Sequence, residues 1–90
     1  MPTINEAITQ LGQVIDDGLA EGAIRRDAGL DLQNLVRNLR VSLTSGTADI
    51  DREVEQLRTK VAIRANEGAI TFAYADEIDS ALDQLAGAAT

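Results

Sequence analysis

Two groups of carboxylates in this chain of 90 residues have spacings that invite chemistry. Asp49, Asp51, Glu53 and Glu55 alternate much as the oxygen ligands of a calcium loop do. A calcium loop of the helix-loop-helix type also needs Gly at its sixth position and a carboxylate at its twelfth, whereas Ile50 and Leu57 here sit on a helical apolar stripe. Carboxylates in a first helical turn are stabilised by the helix dipole without a metal, so the expectation is a helix start and no metal site. The second group is Asp16 and Asp17 with Glu21. Two carboxylates can divide acid and base roles as in glycoside hydrolysis, but only if burial pushes their pKa values apart. At the end of a short amphipathic helix with no aromatic wall, these are expected to be solvated and weakly paired with Arg25 or Arg26 across the turn. With no Cys and no His, the chain has no thiol chemistry, no usual zinc ligand and no imidazole base. No catalytic, cofactor-binding or metal-ligating residue is assigned, and no cofactor is expected.

The elements that would position any site follow from an internal repeat. Glu21-Gly22-Ala23-Ile24 recurs as Glu67-Gly68-Ala69-Ile70, an offset of 46 residues. The same offset matches Ile4 with Ile50, Gln10 with Gln56, Leu11 with Leu57 and Leu39 with Leu85. Repeat 1 covers about residues 1–46 and repeat 2 about residues 47–90 of a single domain. Thr3 and Glu6 have capping-box spacing ahead of Ile4, Ile8, Leu11, Ile15 and Leu19, which predicts a first helix from about Ile4 to Ala20. Gly22 is expected to end it in the left-handed conformation, with Ile24 folding back onto the core.

A second helix is expected from Arg25 or Arg26 to about Leu43, with Asp27 at its positive end and Leu32, Leu35, Val36, Leu39 and Leu43 as its stripe. Thr44-Ser45-Gly46-Thr47 then joins the repeats, with Thr47 or Asp49 as the next cap. Ile50, Val54, Leu57, Val61 and Ala65 line the third helix, and Gly68 repeats the terminator ahead of Ile70. Thr71 caps a fourth helix carrying Tyr74, Ile78, Ala81, Leu82 and Leu85, with Ala88-Ala89-Thr90 fraying. Two hairpins that cannot bury their stripes alone predict an all-α fold, an antiparallel four-helix bundle of two tandem helical hairpins, ahead of any three-helix arrangement. Gly12 and Gly18 are expected to admit a neighbouring helix closely.

The charge balance excludes partners as well as chemistry. Fifteen acidic against eight basic side chains leave a net charge of −7, which repels phosphate backbones and anionic headgroups, so neither nucleic acid nor direct membrane contact is expected. The second half is the more acidic, with nine Asp/Glu against four Arg/Lys in residues 47–90 and six against four in residues 1–46. The seven Arg are spread along the chain, and Glu55 with Arg58 has the spacing of a surface pair. One Phe, one Tyr and no Trp provide no aromatic platform for bases or sugars. No apolar run approaches the ~20 residues of a membrane span.

Apolar residues off the stripes are left without a folding role. Leu30 and Val41, eleven residues apart and nearly in line, face away from the Leu32/Leu39 stripe, and Ile63 lies opposite Val54 and Val61. Phe72 falls at the start of the fourth helix away from Ile78. These four form the candidate interaction face, for a protein partner or a second copy. Asn34 and Asn38 are expected on the solvated side of the second helix.

The run Leu30-Asp31-Leu32-Gln33-Asn34-Leu35-Val36-Arg37-Asn38-Leu39-Arg40, followed by Leu57-Arg58-Thr59-Lys60-Val61 and Glu67-Gly68-Ala69-Ile70, resembles the C-terminal helical region of actinobacterial eukaryotic-like serine/threonine protein kinases. The similarity spans nearly the whole chain, and where the family often has Pro before the Asp of the second helix, this chain has Arg26. The resemblance implies a non-catalytic module beyond a kinase domain, commonly after a transmembrane segment on the extracytoplasmic side, that senses or interacts. It supplies no catalytic residues, and this chain has no Gly-rich phosphate loop and no HRD or DFG sequence. The function expected is an interaction, dimerisation or sensory accessory module of a membrane-anchored kinase. A free-standing cytoplasmic adaptor ranks second, and a small carboxylate-dependent enzyme third.

Overall fold

In the computed structural model, residues 3–46 and 49–89 are described. Four helices follow in order, α1 (Ile4–Glu21), α2 (Arg26–Ser45), α3 (Ile50–Asn66) and α4 (Phe72–Ala89). The Glu6 N–H donates to the Thr3 hydroxyl at 3.1 Å and the Thr3 N–H donates to Glu6 Oε1 at 3.1 Å, so the expected capping box starts α1. The backbone bond from Thr3 holds the Glu6 carboxyl below its ordinary pKa. Arg25 stands at the N-cap of α2 with no side-chain cap; it pairs instead with Asp27 at 3.0 Å, which lowers the Asp27 pKa. Asp49 caps α3 by accepting from the Arg52 N–H at 3.2 Å, and Thr71 accepts from the Tyr74 N–H at 3.3 Å at the start of α4. Thr47, the other cap considered, lies outside the described residues.

Two boundaries differ from expectation. Helix α2 runs two residues past Leu43, to Ser45, because Gly46 at φ 75° is its left-handed terminator. Helix α4 continues through Ala88 and Ala89 where fraying was expected, since Ala88 packs against the core; Thr90 lies outside the described residues.

Helix α1 packs on α2 and α4, and α3 packs on the same two, which places the four around a shared centre with α1 across from α3 and α2 across from α4. Ile8, Leu11, Ile15, Leu32, Leu39, Leu57, Val61, Ile78, Leu82 and Leu85 fill that centre, each fully buried. Leu35, Leu43, Ile50 and Tyr74 of the expected stripes are half-buried at its edge. No buried polar or charged residue interrupts it among the described residues.

The repeated tetrapeptide has a tertiary role. Gly22 and Gly68 adopt φ 77° and 80°, as a shared terminator requires, and Ile24 and Ile70 after them are each 2% exposed. The two turns then meet. The Arg25 N–H donates to the Ala69 carbonyl at 2.7 Å and the Thr71 N–H donates to the Ala23 carbonyl at 2.9 Å. Those pairs form an antiparallel bridge between Ile24 and Ile70 that joins equivalent positions of the two repeats. Backbone groups left over by each helix end are thereby satisfied by the other repeat.

Gly12, expected to sit against a neighbouring helix, does not: a Cβ there meets nothing within 4 Å. Gly68→Val is therefore expected to cost about 1–2 kcal/mol from left-handed strain, while Gly12→Val stays near neutral. Thermal melts of the two variants check this; equal losses would mean that the turn conformation is not what Gly68 supplies.

Candidate interaction surface

All four off-stripe residues are exposed, from 50% for Ile63 and 52% for Leu30 to 61% for Val41 and 71% for Phe72. Leu30 and Val41 lie on α2, Ile63 on α3 and Phe72 at the first residue of α4. Among the described residues α2 and α4 do not pack on each other, so Leu30 and Phe72 belong to helices at opposite corners of the bundle. Leu30 lines a groove of about 400 Å³ with Leu19, Ala20, Ile24 and Arg26, where the end of α1 meets the start of α2. Ile63 borders a depression along α3 with Thr59, Gln56 and Arg52. The sequence singled out Leu30 together with Val41, Ile63 and Phe72; the groove beside Leu30 needs the fold of the first turn to exist.

Charge is distributed by helix. α1 carries Glu6, Asp16, Asp17 and Glu21 and no cation, and α4 carries Asp76, Glu77, Asp79 and Asp83 and no cation. α2 and α3 hold all the basic side chains except Arg25. Since α1 packs on α4, two neighbouring helices carry eight carboxylates, four each, and no cation, although Asp16 turns toward Gln33 of α2 and Asp79 and Asp83 toward Arg58 of α3. Between these helices runs a polar surface groove of about 490 Å³ that includes Gln10, Gln13, Asp17, Glu77 and Gln84. The linear comparison of the two halves missed this polarity, because the acidic helices are the first and the last. A helix-by-helix charge count would have exposed it.

Two of the four cations of α3, Arg58 and Arg64, reach across to neighbouring helices. Arg64 pairs with Asp31 of α2 and with Glu67 at 3.2 Å, and the Asp31 hydrogen bond is the main cause of its raised pKa. Arg58 pairs with Asp83 of α4, approaches Asp79 at 3.9 Å, and keeps the expected contact with Glu55 at 3.9 Å. Burial raises the Asp79 pKa, Arg58 opposes the rise, and Asp83 and Asp76 add to it. Asp79 is nonetheless 47% exposed in its side chain, the setting of a surface ion pair. Such pairs contribute little individually, at most about 1 kcal/mol.

The expected pairing of Asp16, Asp17 and Glu21 with Arg25 or Arg26 is corrected. Asp16 accepts from Gln33 Nε2 of α2 at 2.7 Å, while Arg25 is engaged by Asp27 and Arg26 has no ion pair among the described residues. The reason is direction: Asp16 lies on the flank of α1 that faces α2, as does Thr9, which accepts from Arg40 at 3.2 Å. Asn34 and Asn38 are exposed.

In the acidic run, Asp49 is spent on the α3 cap, and Asp51 and Glu53 occupy the first turn. No group of three or more Asp, Glu, His or Cys is placed to hold a metal ion among the described residues. Adding calcium at millimolar concentration, or a chelator, is expected to leave the melting temperature unchanged. A calcium-induced rise of several degrees would overturn the capping assignment for Asp49. No described helix is long and apolar enough to cross a membrane. In comparisons with known proteins, no family model, no curated protein and no solved structure matches this chain.

Proposed function

We propose that this chain is a non-catalytic protein-interaction module, an accessory domain of a membrane-anchored serine/threonine protein kinase. The reading takes the bundle as antiparallel, two tandem hairpins whose short connections at residues 22–25 and 67–71 reverse the chain. One observation carries it. At the positions of the exposed apolar residues the other repeat has a different kind of residue: Asp76 for Leu30, Asp17 for Ile63, Arg26 for Phe72 and Gly87 for Val41. The two repeats build the same helical hairpin, so the hairpin itself has no need of an apolar side chain at these places. Burial against another protein supplies the need, at about 1.5–3 kcal/mol for each fully covered side chain.

The kinase attachment follows from the resemblance of the Leu30–Arg40 and Leu57–Val61 runs. It makes the module an extracytoplasmic one with its anchor in other residues, and an anchor raises the local concentration enough for weak contacts to matter. The test is Ile63→Glu with Phe72→Ser in the parent kinase, after helix content and melting establish that the fold survives. Reduced association by ultracentrifugation or altered autophosphorylation is the expected result. Unchanged association together with unchanged output would overturn the reading.

A further inference from the structure

The groove lined by Leu19, Ala20, Ile24, Arg26 and Leu30 has an apolar floor and one cation at its rim. The Arg26 side chain has no hydrogen bond or ion pair among the described residues, and neither has that of Asp76. Arg26 and Leu30 are four residues apart on the first turns of α2, hence on one face. Their equivalents on α4 are Phe72 and Asp76, at the same spacing on the first turns of that helix. One helix start therefore presents a cation followed by an apolar side chain, and the other presents an apolar side chain followed by a carboxylate.

We infer that the occupant of this groove is Phe72 of a second copy of the chain, with α2 and α4 meeting antiparallel at their N-terminal turns so that Asp76 faces Arg26. The proposal rests on the interaction reading above and names its partner. The antiparallel orientation sets Phe72 on Leu30 and carboxylate on guanidinium; the parallel one would set Asp76 on Leu30 and leave both charges unpaired. The contact is closed to a single molecule, because α2 and α4 occupy opposite corners of the bundle. Each copy carries both halves of the contact on helix starts that the Ile24–Ile70 bridge ties together, so two copies engage either once or reciprocally about a two-fold axis. With Phe72 71% and Leu30 52% exposed, the patch is small and belongs to the weak, transient class.

Sedimentation equilibrium of the wild-type chain from micromolar to millimolar concentration tests this. The weight-average mass is expected to rise with concentration above that of one chain. Leu30→Glu or Phe72→Ser should raise the dissociation constant about tenfold or more. Arg26→Asp and Asp76→Arg, both at exposed positions, should each weaken association, and the double variant Arg26→Asp/Asp76→Arg should recover it. A strictly monomeric wild type, or association indifferent to all of these changes, overturns the inference. If the wild type is monomeric while the Ile63→Glu/Phe72→Ser parent kinase changes its output, the partner is a different protein and only this inference falls. If neither responds, the interaction reading falls with it.

Discussion

Replacing Ile70 with Ala is expected to lower stability by about 2–5 kcal/mol, the range for emptying a fully buried aliphatic site that cannot collapse. Ile70 is 2% exposed and sits opposite Ile24 in the bridge between the turns. Its backbone surroundings are pinned by the Arg25–Ala69 and Thr71–Ala23 bonds at 2.7 and 2.9 Å, so the turn cannot sink into the space left behind. For a domain of this size each kcal/mol moves the melting temperature by about 4–8 °C. The same substitution at Ile24 should cost a comparable amount. A double-mutant cycle of the two should show coupling of about 0.5–3 kcal/mol, since each supports the other's turn. Additive losses, read from thermal or urea melts, would mean that the turns are stabilised separately and that the bridge couples nothing.

The second large effect is expected at Gly18. A Cβ at this position would lie 2.4 Å from Ile24 Cδ1, 2.7 Å from Ile24 Cγ1 and 3.0 Å from Tyr74 Cδ1. Ile24 is β-branched, buried and adjacent to the bridge, so it cannot swing aside without disturbing both repeats. Gly18→Val should therefore cost about 1–3 kcal/mol of overpacking, only partly offset by the better helix propensity. Gly29 is a useful contrast. A Cβ there meets Cγ and both Cδ atoms of Leu19 and nothing of the bridge, and Leu19 is a half-buried side chain bordering an open groove, which can rotate. Gly29→Ala should accordingly be milder than Gly18→Ala in thermal melts, and the reverse order would mean that Ile24 is less firmly held than its contacts indicate.

The bridge also bears on function. It ties the start of α2, with Arg26 and Leu30, to the start of α4, with Phe72 and Asp76, through three residues of each turn. A partner held at one of these helix starts thus acts on a turn whose backbone bonds go to the other. The groove between α1 and α4, with Asp17 and Glu77, is a separate feature, and its carboxylates disfavour association through that groove between like copies.

Much of the architecture was legible because it is written in short-range interactions. Thr3 with Glu6, Gly22 with Ile24, Gly68 with Ile70 and the stripe from Ile8 to Leu19 act over four residues or fewer at a time, and a period of 3.6 announces them directly. The exposure of Leu30, Val41, Ile63 and Phe72 was legible for the same reason, as the complement of the stripes. Periodicity says which way a side chain points but not which helix lies beside it. The tertiary structure alone decided that Gly18 is filled by Ile24 and Tyr74 while Gly12 faces open space, though both are helical glycines. It decided that Asp16 takes Gln33 rather than an arginine, that Arg58 and Arg64 bridge to Asp83 and Asp31, and that Leu30 borders a groove. It also set the first helix against the last, gathering carboxylates from opposite ends of the chain. The sequence determined the helices, most of their ends and their inward faces; neighbour choice, which depends on contacts between residues far apart in the chain, determined the charge polarity and the groove beside Leu30.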